Sequence, residues 1–306
     1  MSDENRTLLR KAEIAVADFA SGGVLQPEQT NEFIRLAIKQ PVILKMCTVT
    51  PMKSFKEERD KLRFSGRVLR AGQEATALPS AAWAKPAVGM FTLDAQLFKA
   101  ETRLSEEVLE DQIERGVFRQ TLMEELSKAI GRDMEWVAVN GDKDSTDPVL
   151  AKLDGILHQA STWTVNAASA KLSKTVLRDM LRLMPDEFAE QGNLQYFTNR
   201  VARIDYRDSL ADHATGLGDL MIQTSDKTLY ADMPVNAVPE FPVDATLTQA
   251  LLCDPEGIYV GILRQIRIKV DEDISAGVAI IVVTVRFDVK LAEAGAVVRG
   301  YNIKGS

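Results

Sequence analysis

Apolar residues recur at helical spacing over an unusually long stretch of the chain. After Leu104 they stand near every third or fourth position, at Leu109, Ile113, Val117, Leu122, Leu126, Ile130, Met134 and Val137. This spacing predicts one amphipathic helix over residues 105–139, with Ser105 at its N-cap and Asn140-Gly141 as its stop signal. About 35 residues at roughly 1.5 Å per residue give a rod of about 50 Å, far longer than an average globular helix.

The residues before this helix have a strand pattern. Phe91 to Arg103 alternates apolar and polar side chains, which predicts a strand that leads directly into the helix. Pro51 to Pro86 contains few apolar residues and the turn pairs Ser65-Gly66 and Ala71-Gly72. Ordering such a segment costs about 1–2 kcal/mol per residue in backbone entropy, and it has no core of its own to offset that cost. We therefore expect a partner surface to stabilise it.

Shorter elements are predicted on both sides of this central part. Residues 8–19 and Pro27 to Ile38 have weak helical patterns. Beyond the long helix the patterns predict, in order, a short strand at Leu153–Leu157, a helix capped by Ser173 and ended by Pro185, a buried strand at Gln195–Thr198, a helix at Arg200–Leu210, and several strands from Leu251 onwards. This mixture of segregated helices and strands indicates an α+β fold.

Composition narrows the class of protein. The 306 residues are 45% hydrophobic and 26% charged, which is typical of a globular protein with room for two core regions. No apolar run is long enough to cross a membrane, and the N-terminus has no secretory signal pattern. Cys47 and Cys253 are the two cysteines, which suits a reducing compartment better than a disulfide framework. A net charge of −7 argues against broad nucleic-acid binding.

Charge is distributed unevenly along the chain. The segment Lys53–Arg70 holds seven basic and three acidic residues, whereas Leu104–Val139 holds nine acidic and four basic ones. The two segments are electrostatic complements, and such complementarity fixes register and partner choice more than affinity. They can meet within one molecule or between copies of the chain. The candidates for contacts between copies are the basic residues Lys53, Lys56, Arg59, Arg63, Arg67 and Arg70 and the acidic residues Glu106, Glu110 and Glu114.

The chain offers few candidates for catalysis, cofactor binding or metal binding. His213 lies near Asp205, Asp208 and Asp212, but the three carboxylates share one helical face, which favours a solvated acidic surface over a metal site. Gly216-Leu217-Gly218 lacks the third glycine and the preceding strand of a dinucleotide motif. No nucleophile has a recognisable elbow. We predict no catalytic residue, no cofactor and no metal.

The elements, in this order, resemble the major capsid proteins of tailed bacteriophages, which have the HK97-like fold. The Leu93–Asp111 run is similar to the strand and the start of the spine helix in that family, and Asp133–Asp142 is similar to the end of the same helix. The resemblance implies five parts: an N-terminal arm (1–50), an extended β-hairpin loop (51–90), a peripheral domain (91–152) with its spine helix at 105–139, an axial domain (153–265), and closing strands (266–306) that return to the peripheral domain.

The resemblance also implies how such a protein functions. Many copies would form the hexamers and pentamers of an icosahedral shell, assembled in the host cytoplasm, that encloses DNA without sequence-specific binding and without a membrane. The extended loop would lie over a neighbouring subunit. A portal would be a further partner, and so would a separate scaffolding protein, since Met1 stands only about 50 residues before the loop. One branch of the family forms lysine–asparagine crosslinks; Lys53, Lys56, Lys61 and Asn302 are the corresponding candidates, but solvated or ion-paired lysines are the favoured interpretation.

Two glycines interrupt the long helix. Gly116 and Gly131 each cost up to about 1 kcal/mol against alanine, which close packing against a neighbouring element explains most simply. The alternative is that they are bend points during the shell expansion that the resemblance implies. Two other functions remain open at this stage: an encapsulin-like compartment with the same fold, and an α+β enzyme with an unrecognised site.

Overall fold

The computed structural model describes residues 41–64, 68–72, 77–105, 115–189, 193–211, 228–244, 246–263, 267–273 and 277–305. The strands are β1 Thr48–Met52, β2 Lys56–Arg63, β3 Ala87–Asp94, β4 Gln96–Ser105, β5 Trp163–Asn166, β6 Gln195–Thr198, β7 Leu229–Tyr230, β8 Met233–Ala237, β9 Val243–Asp244, β10 Leu247–Cys253, β11 Ile258–Leu263, β12 Arg267–Asp273, β13 Val278–Leu291 and β14 Val298–Lys304. The helices are α1 Arg115–Asn140, α2 Ile156–Gln159, α3 Lys174–Leu183, α4 Asp186–Ala189 and α5 Arg200–Ala211. The mixed α+β class predicted from the sequence is confirmed.

A five-stranded sheet is built around β13. This 14-residue strand pairs along one edge with β4 and along the other with β11 and β12, all antiparallel, and β1 adds to β11 in parallel. The helix α1 covers the sheet: Ile130, Met134 and Val137 share one buried core with Val283 and Phe287 of β13. The described part of the apolar stripe, from Leu126 to Val137, thus packs as its spacing predicts.

A seven-stranded sheet forms the second half of the molecule. Its order is β5-β14-β10-β6-β8-β7, with β9 pairing to β10. The helix α3 places Val176, Leu177 and Met180 in its core, and Tyr206 of α5 packs there as well. The predicted helix after Ser173, the buried strand at Gln195–Thr198 and the helix at residues 200–210 are all confirmed.

The third unit is a two-stranded hairpin. β2 and β3 pair antiparallel from Lys56 opposite Asp94 to Arg63 opposite Ala87. Ala95 alone separates β3 from β4, so the hairpin continues directly from the edge of the five-stranded sheet. We call β2, β3 and the described residues between them the arm, which is distinct from the predicted N-terminal arm (1–50).

The start of the predicted long helix lies outside the described residues. Ser105 ends β4, where it pairs with Val278, and α1 is described from Arg115. Its 26 described residues span about 39 Å, and the capping role of Ser105 and the full length of about 50 Å stay predictions. One predicted element differs from the structure. Residues 153–157 are not a strand: the helix α2 begins at Ile156.

Gly155 explains this difference. Its N–H donates to Gly141 O at 2.8 Å, and a Cβ at this position would lie 2.6 Å from Gly141 N and 2.7 Å from Val139 O. Gly155 is the N-cap of α2, so the chain enters this short helix directly against the end of α1. Gly141 and Gly155 stand at this close approach because no side chain fits there.

The chain crosses between the two sheets several times. β11 pairs in the five-stranded sheet, and β14 pairs with β10 and β5 in the seven-stranded sheet. The predicted domain boundaries, including the one at residue 265, stay predictions.

Candidate assembly surface

The outer part of the arm exposes many apolar side chains. Among the described residues, sixteen large apolar side chains are exposed, and half of them lie between residues 62 and 90: Leu62, Phe64, Val68, Leu69, Leu78, Trp83, Val88 and Met90. Leu69 is 91% exposed and Trp83 is 63% exposed. Trp83 Nε1 donates to Leu78 O at 3.1 Å. The indole N–H therefore has a partner within the arm, and the exposed part of the ring is apolar. An apolar concentration of this kind marks an interaction surface.

The base of the arm is packed firmly on the body. Met52, Leu93, Ala95 and Leu263 form a small buried core, and Phe91 packs on Tyr259 with ring centroids 5.0 Å apart. The base is thus an integral part of the five-stranded sheet region.

Asp288 ties the arm to β13. Its Oδ2 accepts a hydrogen bond from Asp94 N at 2.8 Å, and Ala95 N donates to Phe55 O at 2.9 Å beside it. Burial raises the pKa of the Asp288 carboxyl, an effect that its backbone donors and the positive charges of Lys290 and Lys143 oppose. The carboxylate is buried but well supplied with partners, which makes this junction rigid.

The basic candidates in and beside the arm lie in different environments. Lys53 and Arg70 are exposed, and the side chain of Lys56 is 71% exposed, with its Nζ 3.8 Å from Asp94. Arg59 pairs with Glu57 on its own strand at 2.7 Å. Arg63 ends β2, and Arg67 lies outside the described residues. These positions leave several basic groups on the arm's surface.

The acidic candidates cannot be placed beside them. Glu106, Glu110 and Glu114 lie outside the described residues. The described part of α1 exposes Glu124, Glu125 and Asp133, and Lys128 already pairs with Glu125 at 2.6 Å. The electrostatic pairing of arm and helix therefore stays a prediction.

The remaining candidates on α1 are the two glycines. Gly116 lies in the first turn of the described helix, and Gly131 is buried near its middle. Burial at Gly131 fits the close-packing explanation. The role of both residues as bend points stays a prediction.

Within the chain, Lys61 and Asn302, two of the residues considered for a crosslink, each contact other residues. Lys61 Nζ donates to Ala292 O at 2.7 Å and lies 3.0 Å from Glu293 Oε2 of the same chain. Asn302 belongs to β14, where its amide donates to Asn166 Oδ1 at 3.2 Å. Lys61 is thus ion-paired, in agreement with the favoured interpretation from the sequence.

Glu135 makes a buried structural contact that the sequence did not reveal. It is one of the nine acidic residues between Leu104 and Val139, yet it is only 2% exposed, and its Oε1 accepts a hydrogen bond from Ile43 N at 2.6 Å. Burial raises the pKa of Glu135, while the backbone N–H groups of Ile43, Leu44 and Val42 oppose that rise. Glu135 thereby fastens the beginning of the described chain to α1. Its position between exposed Asp133 and half-buried Trp136 offers no signal of this role.

The ionisable clusters away from the arm are accounted for by ion pairs. Asp142, Asp154 and His158 bring ligand atoms within 4.8 Å of one another, but Lys143 Nζ lies 2.9 Å from Asp154 and supplies a positive charge there. Asp205 pairs with Lys171 at 2.8 Å. His213 and Asp212 lie outside the described residues.

Both cysteines lie in the main buried core. Cys47 and Cys253 are free and buried, and burial raises the pKa of both thiols. Within the described residues, no helix combines the length and the apolar character that a membrane crossing requires.

Comparison with known proteins agrees with this architecture. A sequence model of the phage capsid family matches residues 21–301. The chain belongs to the phage capsid family. It is 30% identical over 308 residues to the putative prophage capsid protein YqbE of Bacillus subtilis (strain 168), an alignment that covers 98% of this chain and 99% of that protein.

Solved structures confirm the HK97-like fold. The satellite phage P4 procapsid that includes the size determination (Sid) protein has a chain that aligns with a TM-score of 0.70 at 14% identity, over 99% of this chain and 98% of that one. The capsid of a native GTA particle aligns with a TM-score of 0.61 at 14% identity, over 87% and 90% of the two chains. The holo-SrpI encapsulin of Synechococcus elongatus PCC 7942 also aligns with a TM-score of 0.61, at 9% identity over 86% and 88%.

Proposed function

We propose that this protein is the major capsid protein of a tailed-phage head, in which many copies form an icosahedral shell around DNA. Its role is structural and involves no catalytic step. Membership of the phage capsid family supports this function. The observation that carries it is the exposed apolar surface of the arm, which a single copy leaves uncovered.

The arm supplies the contacts between copies. Apolar side chains on its outer part lose water when they meet a neighbouring subunit, at roughly 25 cal/mol per Å² of apolar area buried. The exposed basic residues Lys53, Lys56 and Arg70, together with Arg63 and Arg67, then select the neighbour's acidic surface and fix the register. Each contact is weak, but a subunit that gives and receives such contacts on several sides is held strongly through multivalency.

The shell proposed here consists of hexamers and pentamers that assemble in the host cytoplasm. A separate scaffolding protein and a portal complete its set of partners. The enclosed DNA is held without sequence-specific contacts, because a subunit with a net charge of −7 lacks the basic footprint that tight binding to phosphates requires.

Sedimentation and negative-stain microscopy of the expressed protein test the proposal. We expect closed particles of megadalton mass, or capsomer rings that close when a scaffold is supplied. A protein that remains a small oligomer under every assembly condition, with or without scaffold, would contradict the function and would favour the enzyme alternative.

The encapsulin alternative has a specific observation in its favour, the similarity of fold to the holo-SrpI encapsulin. The contents of particles purified from the native source distinguish the two. Nuclease-protected DNA supports the phage head, whereas a stoichiometric cargo protein without DNA supports the compartment.

A further inference from the structure

One lysine links the outer half of the described arm to the body. In the β2–β3 register Lys61 stands opposite Gly89, two pairs before the distal end of the strand pair. Its ammonium reaches the turn after β13, where it donates to Ala292 O at 2.7 Å and lies 3.0 Å from Glu293 Oε2. One side chain therefore bonds to two acceptors on a different part of the sheet region.

Gly89 makes this reach possible. A Cβ at residue 89 would lie 2.7 Å from Cε and 3.2 Å from Cγ of Lys61. The lysine stem thus occupies the space that any other side chain at position 89 would take. The sequence pairs the long side chain with the one residue type that lets it lie flat across the hairpin.

This contact lies far from the base of the arm. The base of the arm is held where Asp94 N donates to Asp288 and Ala95 N donates to Phe55 O. Lys61 is five residues from Lys56 at that base, or about 16 Å at about 3.3 Å per residue. Rotation about the base displaces distant points most, so a contact at this distance restrains the arm's angle far more than an equal contact at the base.

We propose that Lys61, Gly89 and the turn at 292–293 form a latch that sets the angle of the arm relative to the body, and that this angle controls the size and regularity of the assembled particle. The second clause rests on the proposed shell function; the first does not. The latch opens readily, because a half-exposed ion pair is weak and is screened by salt. An arm that is held but not locked can adjust its angle when it meets a neighbour.

Three variants break the latch in different ways. Lys61→Met keeps most of the stem and removes the donor. Glu293→Gln removes the negative charge and leaves Ala292 O as acceptor. Gly89→Ala keeps both partners and displaces the stem. Lys56→Met is the matched control, since Lys56 is on the same strand, its side chain is 71% exposed, and its Nζ is 3.8 Å from Asp94.

Hydrogen exchange of the unassembled subunit, isolated by size exclusion, measures the latch. We expect the amides of residues 56–63 and 87–94 to exchange about three- to tenfold faster in Lys61→Met and Gly89→Ala, in line with the loss of about one hydrogen bond of ordinary net strength at a partly exposed pair. Glu293→Gln should give a smaller increase, and Lys56→Met should match the wild type. Molar salt should move the wild type toward Lys61→Met.

The outcomes separate the two clauses. Wild-type exchange in Lys61→Met, or an equal acceleration in Lys56→Met, overturns the latch even if normal particles form. If Gly89→Ala fails to fold, the Lys61→Met result decides alone. Faster exchange together with a broader distribution of particle diameters by electron microscopy supports both clauses. Faster exchange with unchanged diameters overturns the control of particle size, and a wild type that forms no particles overturns the shell function but not the latch.

Discussion

Replacement of Glu135 by alanine tests whether one buried carboxylate fastens the start of the described chain to α1. The change removes the acceptor that Ile43 N contacts at 2.6 Å, in a place where Ile43 itself is fully buried. A hydrogen bond to a charged group contributes about 1.5–3 kcal/mol, and an unpaired buried donor costs about 1–3 kcal/mol. Relief of the desolvated charge offsets part of this loss. We expect Glu135→Ala to lower the free energy of unfolding by about 2–4 kcal/mol.

Glu135→Gln separates the hydrogen bond from the charge. The amide oxygen can still accept from Ile43 N, so we expect a loss of only about 1 kcal/mol or less near neutral pH. Glu124→Ala is the control, because Glu124 is exposed on the same helix. Its effect should stay within about 0.5 kcal/mol.

The pH dependence gives an independent check. Burial raises the pKa of folded Glu135 above the ordinary value of 4.5, so the folded state binds more protons than the unfolded state between these two values. Wild-type stability should therefore fall as pH rises through that window and then level off. Glu135→Gln lacks this titration. The free energy of unfolding of the wild type should therefore increase relative to that of Glu135→Gln as the pH is lowered toward 4.5.

The assays are denaturant unfolding of the unassembled subunit at several pH values and hydrogen exchange at the amide of Ile43. Exchange at Ile43 should accelerate strongly in the alanine variant and little in the glutamine variant. Equal losses in both variants, or an unchanged Ile43 amide in Glu135→Ala, would refute the reasoning. So would a pH dependence of the wild type that the glutamine variant reproduces in full.

Three further changes address the arm, the turn after α1 and the long helix. Leu69→Asp should leave the free energy of unfolding within about 0.5 kcal/mol of the wild type and should lower the yield of particles measured by sedimentation. The control Leu183→Asp, at an exposed position on α3, should assemble normally. Equal yields from the two variants would argue against the arm as an assembly surface. Gly155→Ala should lower the free energy of unfolding by about 1–3 kcal/mol or more, because the new Cβ meets backbone atoms that cannot move aside. A thermal unfolding midpoint equal to that of the wild type would count against this packing. Gly131→Ala and Gly116→Ala should hinder particle expansion, measured as diameter before and after maturation, if these glycines are bend points; normal expansion in both would leave close packing as the explanation.

Local pattern predicted the elements whose neighbours lie nearby in the chain. The apolar spacing of α1 places Ile130, Met134 and Val137 in the core, and Ser173 and Pro185 bracket α3 as their backbone preferences require. The sparse apolar content of residues 51–86 also predicted an extended segment that cannot bury its own core. The resemblance of these elements, taken in order, was enough to predict the fold.

Contacts between distant segments determined the features that local sequence patterns did not predict. Ser105 continues β4 because β13 pairs with it, and β14 joins the seven-stranded sheet because β10 lies beside it. Residue 155 has no room for a side chain because α1 ends against it. The roles of Glu135 and Lys61 likewise depend on partners more than 90 residues away. A sequence determines which faces of its elements are apolar and which segments are extended; the position of a distant acceptor depends on how sheets align, and only the folded chain contains that information.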